Sequence, residues 1–249
     1  MGTGIQLVRQ LTPEARHALE HADEVLYMAS DPAMAMWLAE LNPNSRSLAG
    51  FYRPAVPRRQ IYEEMVEEIL GAVRRGARVC AAFYGHPGVV VTPSHEAIAR
   101  ARAEGYEARM LPAISAEDCL IADLGVDPMH GWQSYDATAL LLGRHVLDPT
   151  ASLVIWQVDA TGKLDWDLAP KPAGLQALSD YLLGLYPPEH EIVFYNASIY
   201  PVAGPVIERI RLDTLATLEA APAPTLYVPP LPPRPLDRKA ARRMGITLA

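Results

Sequence analysis

The sequence predicts an α/β fold, in which helices and strands alternate along the chain and pack in layers. Short apolar runs at residues 24–28, 79–83 and 152–158 have the length of buried strands. Helix-length stretches with caps and glycine stops lie between these runs. The alternation indicates largely parallel sheets. With 249 residues, half of them hydrophobic, the chain is long enough for one large or two ordinary domains.

Caps, first-turn prolines and closing glycines mark the helices of the first half. The predicted helices are residues 13–21 after Thr12, residues 32–41 after Asp31, residues 58–75 before Gly76, and a helix from Ser94, as its cap, to near Gly105. The predicted strands between them are residues 24–28, 79–83 and 107–111. The three-residue apolar run after the second of these strands is residues 89–91.

The second half repeats the alternation of helices and strands. The predicted helices are residues 115–125 and 175–185, and the predicted strands are residues 152–158, 191–195, 206–210 and 226–228. A division near residues 112–116 gives each half its own sheet, so we expect α/β subdomains at residues 1–112 and 113–228. The cleft between such halves is the natural ligand site.

Residues 229–249 differ in composition from the rest of the chain. Residues 229–235 are mostly proline, which is typical of an extended polyproline segment, and a basic run follows at residues 238–243. These residues are expected to form either a disordered tail or an arm that embraces a partner subunit.

Charge and composition exclude several classes of function. A formal net charge of −7 argues against a nucleic-acid binder, which needs a basic face for the phosphates. The sequence contains no apolar run of membrane-span length and no secretory signal. Cys80 and Cys119 lie in apolar segments and are interpreted as buried side chains, since a zinc site would need more ligands at closer spacing. We expect a cytoplasmic protein without a metal site.

The first glycines of the chain resemble the front of a nucleotide-binding loop. Gly2-Thr3-Gly4 is weak evidence alone, because a dinucleotide fingerprint needs a preceding strand and a third glycine. Either the fold does without that strand or the protein in the cell begins upstream of Met1, and we favour the second interpretation.

The segment Tyr84-Gly85-His86-Pro87-Gly88 is a stronger candidate for a ligand site. Its glycines and proline let the backbone approach a ligand closely at the carboxyl end of a strand, where open α/β sheets bind their ligands. His86 is either a catalytic base or a buried, hydrogen-bonded structural histidine, and the second role is the commoner one.

Arg58 and Tyr62 lie four residues apart on one face of a predicted helix. A guanidinium beside a phenol favours the phenolate and can also bind a carbonyl oxygen, which suits removal of a proton from a weak acid. The alternative is a solvated arginine packed along a tyrosine ring.

Three stretches together carry a resemblance to a known family: "GTG…QLTPEA", "FYGHPGVVVTPSHEAIARARAEGYEARMLPAISAEDCLIADLG" and "VIWQV". They resemble the tetrapyrrole methylase superfamily, which uses S-adenosylmethionine. The chain is most similar to the borosin α-N-methyltransferases, which methylate backbone amides of a peptide. The resemblance runs from Gly2 to about Pro230. It implies two α/β subdomains of the tetrapyrrole methylase type with the cofactor in the cleft between them.

The resemblance also implies the functional residues. The family's catalytic arginine and tyrosine fall on Arg58 and Tyr62, and a further active-site tyrosine falls on Tyr52. The implied cofactor-binding residues are Tyr84, His86, Val89, Val90, Ser115, Ala116, Gln157, Ala197 and Thr225.

The sequence departs from the family in three places. Ala49 stands where the family has an aromatic residue, and the loop "DATGKLDWD" is not a close match. Fused members continue into a clasp domain and their own substrate peptide, whereas this sequence ends at Ala249. The resemblance therefore implies the enzyme of a split system, which iteratively methylates a separate precursor peptide, as a homodimer with two bound precursors.

Two other functions compete with this interpretation. A conventional tetrapyrrole methylase would use the same cofactor site but would methylate a ring carbon of a large polyanion. A non-catalytic binding subunit would use the fold only to hold a partner. The pair of Arg58 and Tyr62 and the borosin-like central block count against the first, and the presence of Arg58, Tyr62 and Tyr84 together counts against the second.

Overall fold

The computed structural model describes residues 1–6, 8–143, 145–167, 169 and 171–247. The helices are α1 (Pro13–His21), α2 (Pro32–Leu41), α3 (Arg58–Arg74), α4 (Thr92–Ala103), α5 (Ala116–Leu124), α6 (Ala137–Leu142), α7 (Pro172–Leu183) and α8 (Arg238–Arg243). The strands are β1 (Glu24–Met28), β2 (Ser45–Ser47), β3 (Val79–Phe83), β4 (Trp132–Asp136), β5 (Ser152–Trp156), β6 (Glu191–Asn196), β7 (Val206–Arg211) and β8 (Thr225–Val228). The predicted α/β fold class is confirmed.

The first sheet is parallel, in the order β2-β1-β3. Successive residues of a strand point to opposite sides of the sheet, so its apolar side chains lie on both faces. Helices cover both faces and bury these side chains. Leu26 and Phe83 pack against the apolar side of α3, and Val25 and Tyr27 pack against α1 and α2. This packing on both faces positions the carboxyl end of β3, which precedes Tyr84.

The second sheet has the order β4-β5-β8-β6-β7, and most of its pairs are antiparallel. Within this sheet, β4 and β5 form the only parallel pair among the described strands, so the expectation of largely parallel sheets is wrong for this half. No helix separates β6 from β7, and two strands joined without a crossover pair antiparallel. β8 then lies between β5 and β6, antiparallel to both.

The structure differs from the predicted elements at several boundaries. Helix α4 begins at Thr92, so Ser94 is not its cap: the Ser94 hydroxyl donates to the carbonyls of Pro87 and Val91. Residues 107–111 form no strand within the described chain, and the Ala108 carbonyl accepts the Arg102 side chain at 2.8 Å instead of a ladder bond.

Four further elements, β2, β4, α6 and α8, are absent from the sequence prediction. Strand β4 lies at the edge of its sheet and carries polar residues such as Gln133 and Ser134, so it lacks the apolar run that marked the other strands.

Both ends of the described chain are tied to its body. The Met1 ammonium donates to the Ala81 carbonyl at 2.7 Å, and burial lowers the pKa of this amino group. Near the other end, the Leu231 N–H donates to the Pro149 carbonyl at 2.8 Å. The first part of the predicted arm therefore lies on its own chain, and its contact with a partner subunit stays a prediction.

The proposed division between the subdomains also stays a prediction. Strands β1 to β3 precede residue 112 and strands β4 to β8 follow residue 113. None of the described helices combines the length and apolar character that a membrane crossing requires.

Candidate active site

The predicted site residues meet in a cavity of about 270 Å³ between the two sheets. Residues that follow β3, β5 and β6 border it, together with the start of α5. The predicted residues that line it are Tyr52, Tyr62, Tyr84, His86, Val89, Val90, Ser115, Ala116, Gln157, Ala197 and Thr225. Arg58 reaches the cavity through a contact with Gln157, as described below.

The corner after β3 is held by backbone bonds to the start of the chain. Gly85 has a positive φ of 70° and pairs with Gly4, whose carbonyl accepts the Gly85 N–H at 2.8 Å. His86 Nδ1 accepts the Gly88 N–H at 2.9 Å, and a Cβ at Gly88 would lie 3.0 Å from the His86 ring. His86 Nδ1 is therefore engaged in a backbone hydrogen bond, while the side chain is half-buried and also lines the cavity.

Two non-glycine residues of the lining have left-handed backbone. Val90 has φ 57° and Gln157 has φ 55°. For a β-branched residue such as Val90 this conformation is a genuine outlier. Residues in such conformations cost about 1–3 kcal/mol each and concentrate at functional sites. The strain at two places on one cavity marks it as the candidate site.

The start of α5 presents the positive end of a helix to the cavity. Ser115 and Asp118 form a reciprocal capping box: the Asp118 carboxylate accepts the Ser115 N–H at 2.7 Å, and Ser115 Oγ accepts the Asp118 N–H at 3.1 Å. The Ser115 hydroxyl is thus engaged in the cap, which fixes the direction of the helix. Ala116, the first helical residue, lines the cavity, where the helix dipole favours an anionic group.

Arg58 lies at the first position of α3 and reaches across to the second half of the chain. Its Nη1 donates to Gln157 Oε1 at 2.9 Å, and its Cζ lies 6.0 Å from the centre of the Trp166 ring. Its Nε is buried and has no hydrogen-bond partner within the described chain. The spacing of four residues predicts that the Arg58 guanidinium lies beside the Tyr62 phenol. In the structure, the guanidinium donates its hydrogen bond to Gln157.

Tyrosines crowd the mouth of the cavity next to Arg58. Burial and the neighbouring phenols of Tyr62 and Tyr84 raise the pKa of Tyr52, an effect that Arg58 opposes only in part. The pKa of Tyr84 is also raised, by the surrounding protein and then by Tyr62 and Asp159, although 49% of this residue stays exposed. Tyr52 and Tyr84 are therefore protonated near neutral pH and can donate hydrogen bonds.

Trp166 is a residue of this site that the sequence did not indicate. It lies in the loop that departs from the family pattern, and its ring packs on Tyr52 with 4.3 Å between centroids. An isolated bridge between Pro57 and Asp165 brings the loop to the start of α3. The sequence signal that could have identified Trp166 is an aromatic residue within a polar loop. Ala49, by contrast, is exposed and does not line the cavity.

Comparison with known proteins relates the chain to methylases. The family model described as Tetrapyrrole (Corrin/Porphyrin) Methylases matches residues 1–199. A methyltransferase/ribosomally synthesized type III borosin cyclic peptide precursor from Anomoporia bombycina is 38% identical over 100% of this chain and 30% of its own length. A type I borosin precursor from Coprinopsis marcescibilis is 39% identical over 99% of this chain and 66% of its own length. The chain thus spans less than two thirds of either relative.

The solved structures show the same fold. A uroporphyrin-III-C-methyltransferase from Thermus thermophilus superimposes with a TM-score of 0.60 over 91% of this chain and 90% of its own, at 23% sequence identity.

Proposed function

Because the chain belongs to the tetrapyrrole methylase family, we propose that it transfers methyl groups from S-adenosylmethionine to backbone amide nitrogens of a separate precursor peptide. The relatives named as borosin precursors support a peptide substrate.

The lining residues fit S-adenosylmethionine, which has a flat aromatic base and a charged amino-acid end. The volume of about 270 Å³ lies near the lower end of the range for small-molecule sites, roughly 300–1,000 Å³. Phe83, Val91 and Trp156 supply apolar surface for a base. The start of α5 at Ala116 suits a carboxylate, and Thr225 adds a hydroxyl group. When bound there, S-adenosylmethionine supplies an electrophilic methyl group.

The chain's own residues would activate the peptide amide, whose nitrogen lone pair is delocalised into the carbonyl. Arg58 Nε is a buried donor without a partner in the described chain, and protonated Tyr52 is a second donor beside it. Together they bind the substrate carbonyl oxygen and stabilise the negative charge that develops on it. Tyr62, which also lines the cavity and matches the family's catalytic tyrosine, acts as the general base that removes the amide proton.

The observation that carries this proposal is that Tyr52 and Tyr62 line the cavity together, with Arg58 close enough to Tyr52 to oppose the rise of its pKa. A tetrapyrrole substrate would bring several carboxylates into the same mouth and would require several cations. Arg58 is one cation beside this mouth, and the described residues that line the cavity itself include no lysine or arginine. Peptide methylation therefore agrees better with the charges of the site.

The test is co-expression of the chain with a small open reading frame encoded beside its gene, followed by tandem mass spectrometry of the small product. We expect mass increases of one methylene localised to backbone nitrogens. Tyr62→Phe should abolish them while the affinity for S-adenosylmethionine stays unchanged. Tyr106→Phe is the matched control, because it removes an exposed phenol that does not line the cavity.

Full methylation by Tyr62→Phe would remove the base from this mechanism. An unmodified peptide despite bound S-adenosylmethionine would direct the search to another peptide or to ring substrates. We further propose that the enzyme acts in the cytoplasm as a homodimer with two bound precursor peptides. A monomer by light scattering would contradict the dimer.

A further inference from the structure

The loop of the second half that contains Trp166 caps the helix that carries Arg58. The residue before α3 is Pro57, which has no side-chain hydrogen bond to offer the first helical amides. The Leu164 carbonyl accepts the Arg58 N–H at 2.9 Å, and the Trp166 N–H donates to the Val56 carbonyl at 3.0 Å. An uncapped helix start leaves backbone donors unsatisfied, so this loop supplies what the local sequence lacks.

The same loop also contacts the Arg58 side chain. The Trp166 ring lies 6.0 Å from the Arg58 Cζ on one side, and Gln157 accepts a hydrogen bond from Nη1 on another. Trp166 is only partly buried. Its aromatic neighbour is Tyr52, and the two ring centroids lie 4.3 Å apart. An indole face within about 6 Å attracts a guanidinium.

We propose that Trp166 is a positioning residue for Arg58, and that residues 164–166 hold the guanidinium so that Nε stays buried. The orientation of an arginine on the first half is then set by a loop of the second half, through one backbone bond and one aromatic ring. The inference rests on the proposed function for its catalytic consequence, but the positioning itself is testable without substrate.

The direct test is hydrogen exchange of the Arg58 Nε–H group by NMR on the purified full chain without peptide. Its signal is assigned by its loss in Arg58→Lys. We expect slow exchange in the wild type, because Nε is buried, and exchange at least about 10-fold faster in Trp166→Ala. Trp166→Phe should restore slow exchange, since a phenyl ring keeps the aromatic face. If Trp166→Ala loses its circular dichroism spectrum, Trp166→Leu replaces it, because leucine fills the space without a π face.

The kinetic test separates positioning from a general structural effect. Trp166→Ala should lower kcat for peptide methylation by about 10²-fold, the scale expected when a catalytic group is misplaced by about 1 Å. The Kd for S-adenosylmethionine should stay within about twofold of the wild type, and Trp166→Phe should recover most of kcat. Unchanged Arg58 exchange in Trp166→Ala or in Trp166→Leu would overturn the proposal, whatever happens to kcat. Accelerated exchange in a protein that methylates no peptide would support the positioning role and contradict the proposed function instead.

Discussion

Gly85 offers a quantitative test of how the corner after β3 forms the cavity. Its φ of 70° lies in the left-handed region, and a Cβ added there would stand 3.2 Å from Ile5 Cδ1. Ile5 is 6% exposed and lines the cavity. Gly85→Ala therefore combines a backbone penalty with a shift of one side chain in the lining.

The expected loss of stability follows from these two terms. A non-glycine residue in the left-handed region costs about 1–2 kcal/mol. Moving the Ile5 side chain off its rotamer adds about 0.5–1 kcal/mol. A total of roughly 1.5–3 kcal/mol lowers the Tm by about 3–12 °C for a chain of this size, at about 2–4 °C per kcal/mol. Differential scanning calorimetry measures the Tm, and isothermal titration with S-adenosylmethionine should show weaker binding because Ile5 is displaced into the cavity.

Gly105→Ala is the matched control for the backbone penalty. Gly105 has φ 89°, and an added Cβ would meet nothing within 4 Å. The Gly105→Ala variant should therefore lose only about 1–2 kcal/mol of stability. It should bind S-adenosylmethionine with the affinity of the wild type. If Gly85→Ala and the wild type bind S-adenosylmethionine with equal affinity, the corner after β3 does not belong to the cofactor site.

Two further substitutions test interactions outside the cavity. Hydrogen bonds from Arg78 hold the pKa of Asp23 at about 2, below its ordinary 3.8, so this pair stabilises the fold above pH 3.8 and loses its effect as the pH falls towards about 2. The Tm deficit of Asp23→Asn should therefore be present at about pH 7 and shrink at about pH 3, and a deficit that does not change with pH would contradict the pairing. Tyr195 is fully buried and donates to Asp123 at 2.7 Å, so Tyr195→Phe should lower stability by about 1.5 kcal/mol, and an unchanged denaturation midpoint in urea would refute this.

Caps were predictable from the sequence because their partners lie within a few residues. The Thr12 side chain accepts the Ala15 N–H, and the Asp31 side chain accepts the N–H groups of Ala33 and Met34. Such bonds depend on local spacing, so the residue types identify them without knowledge of the fold. The failure at Ser94 is instructive, because Pro93 allows the helix to begin earlier and the Pro87 carbonyl takes the hydroxyl.

Strand direction and side-chain pairing could not be obtained in this way. The antiparallel pairing of β8 with both β5 and β6 joins segments about seventy and thirty residues apart, and no local pattern encodes it. Arg58 illustrates the same limit at the site. Spacing of four residues suggested Tyr62 as its neighbour, whereas the guanidinium bonds to Gln157, which is 99 residues away.

The sequence by itself determined the α/β class, most helix starts, and the corner of glycines after β3, because these depend on periodicity, caps and backbone freedom over a few residues. The tertiary structure alone decided the strand order of the second sheet, the strain at Val90 and Gln157, and the contact of Trp166 with Arg58. These features need two distant segments to meet, and the free energy that brings them together is the burial of apolar surface by the whole fold rather than any local preference.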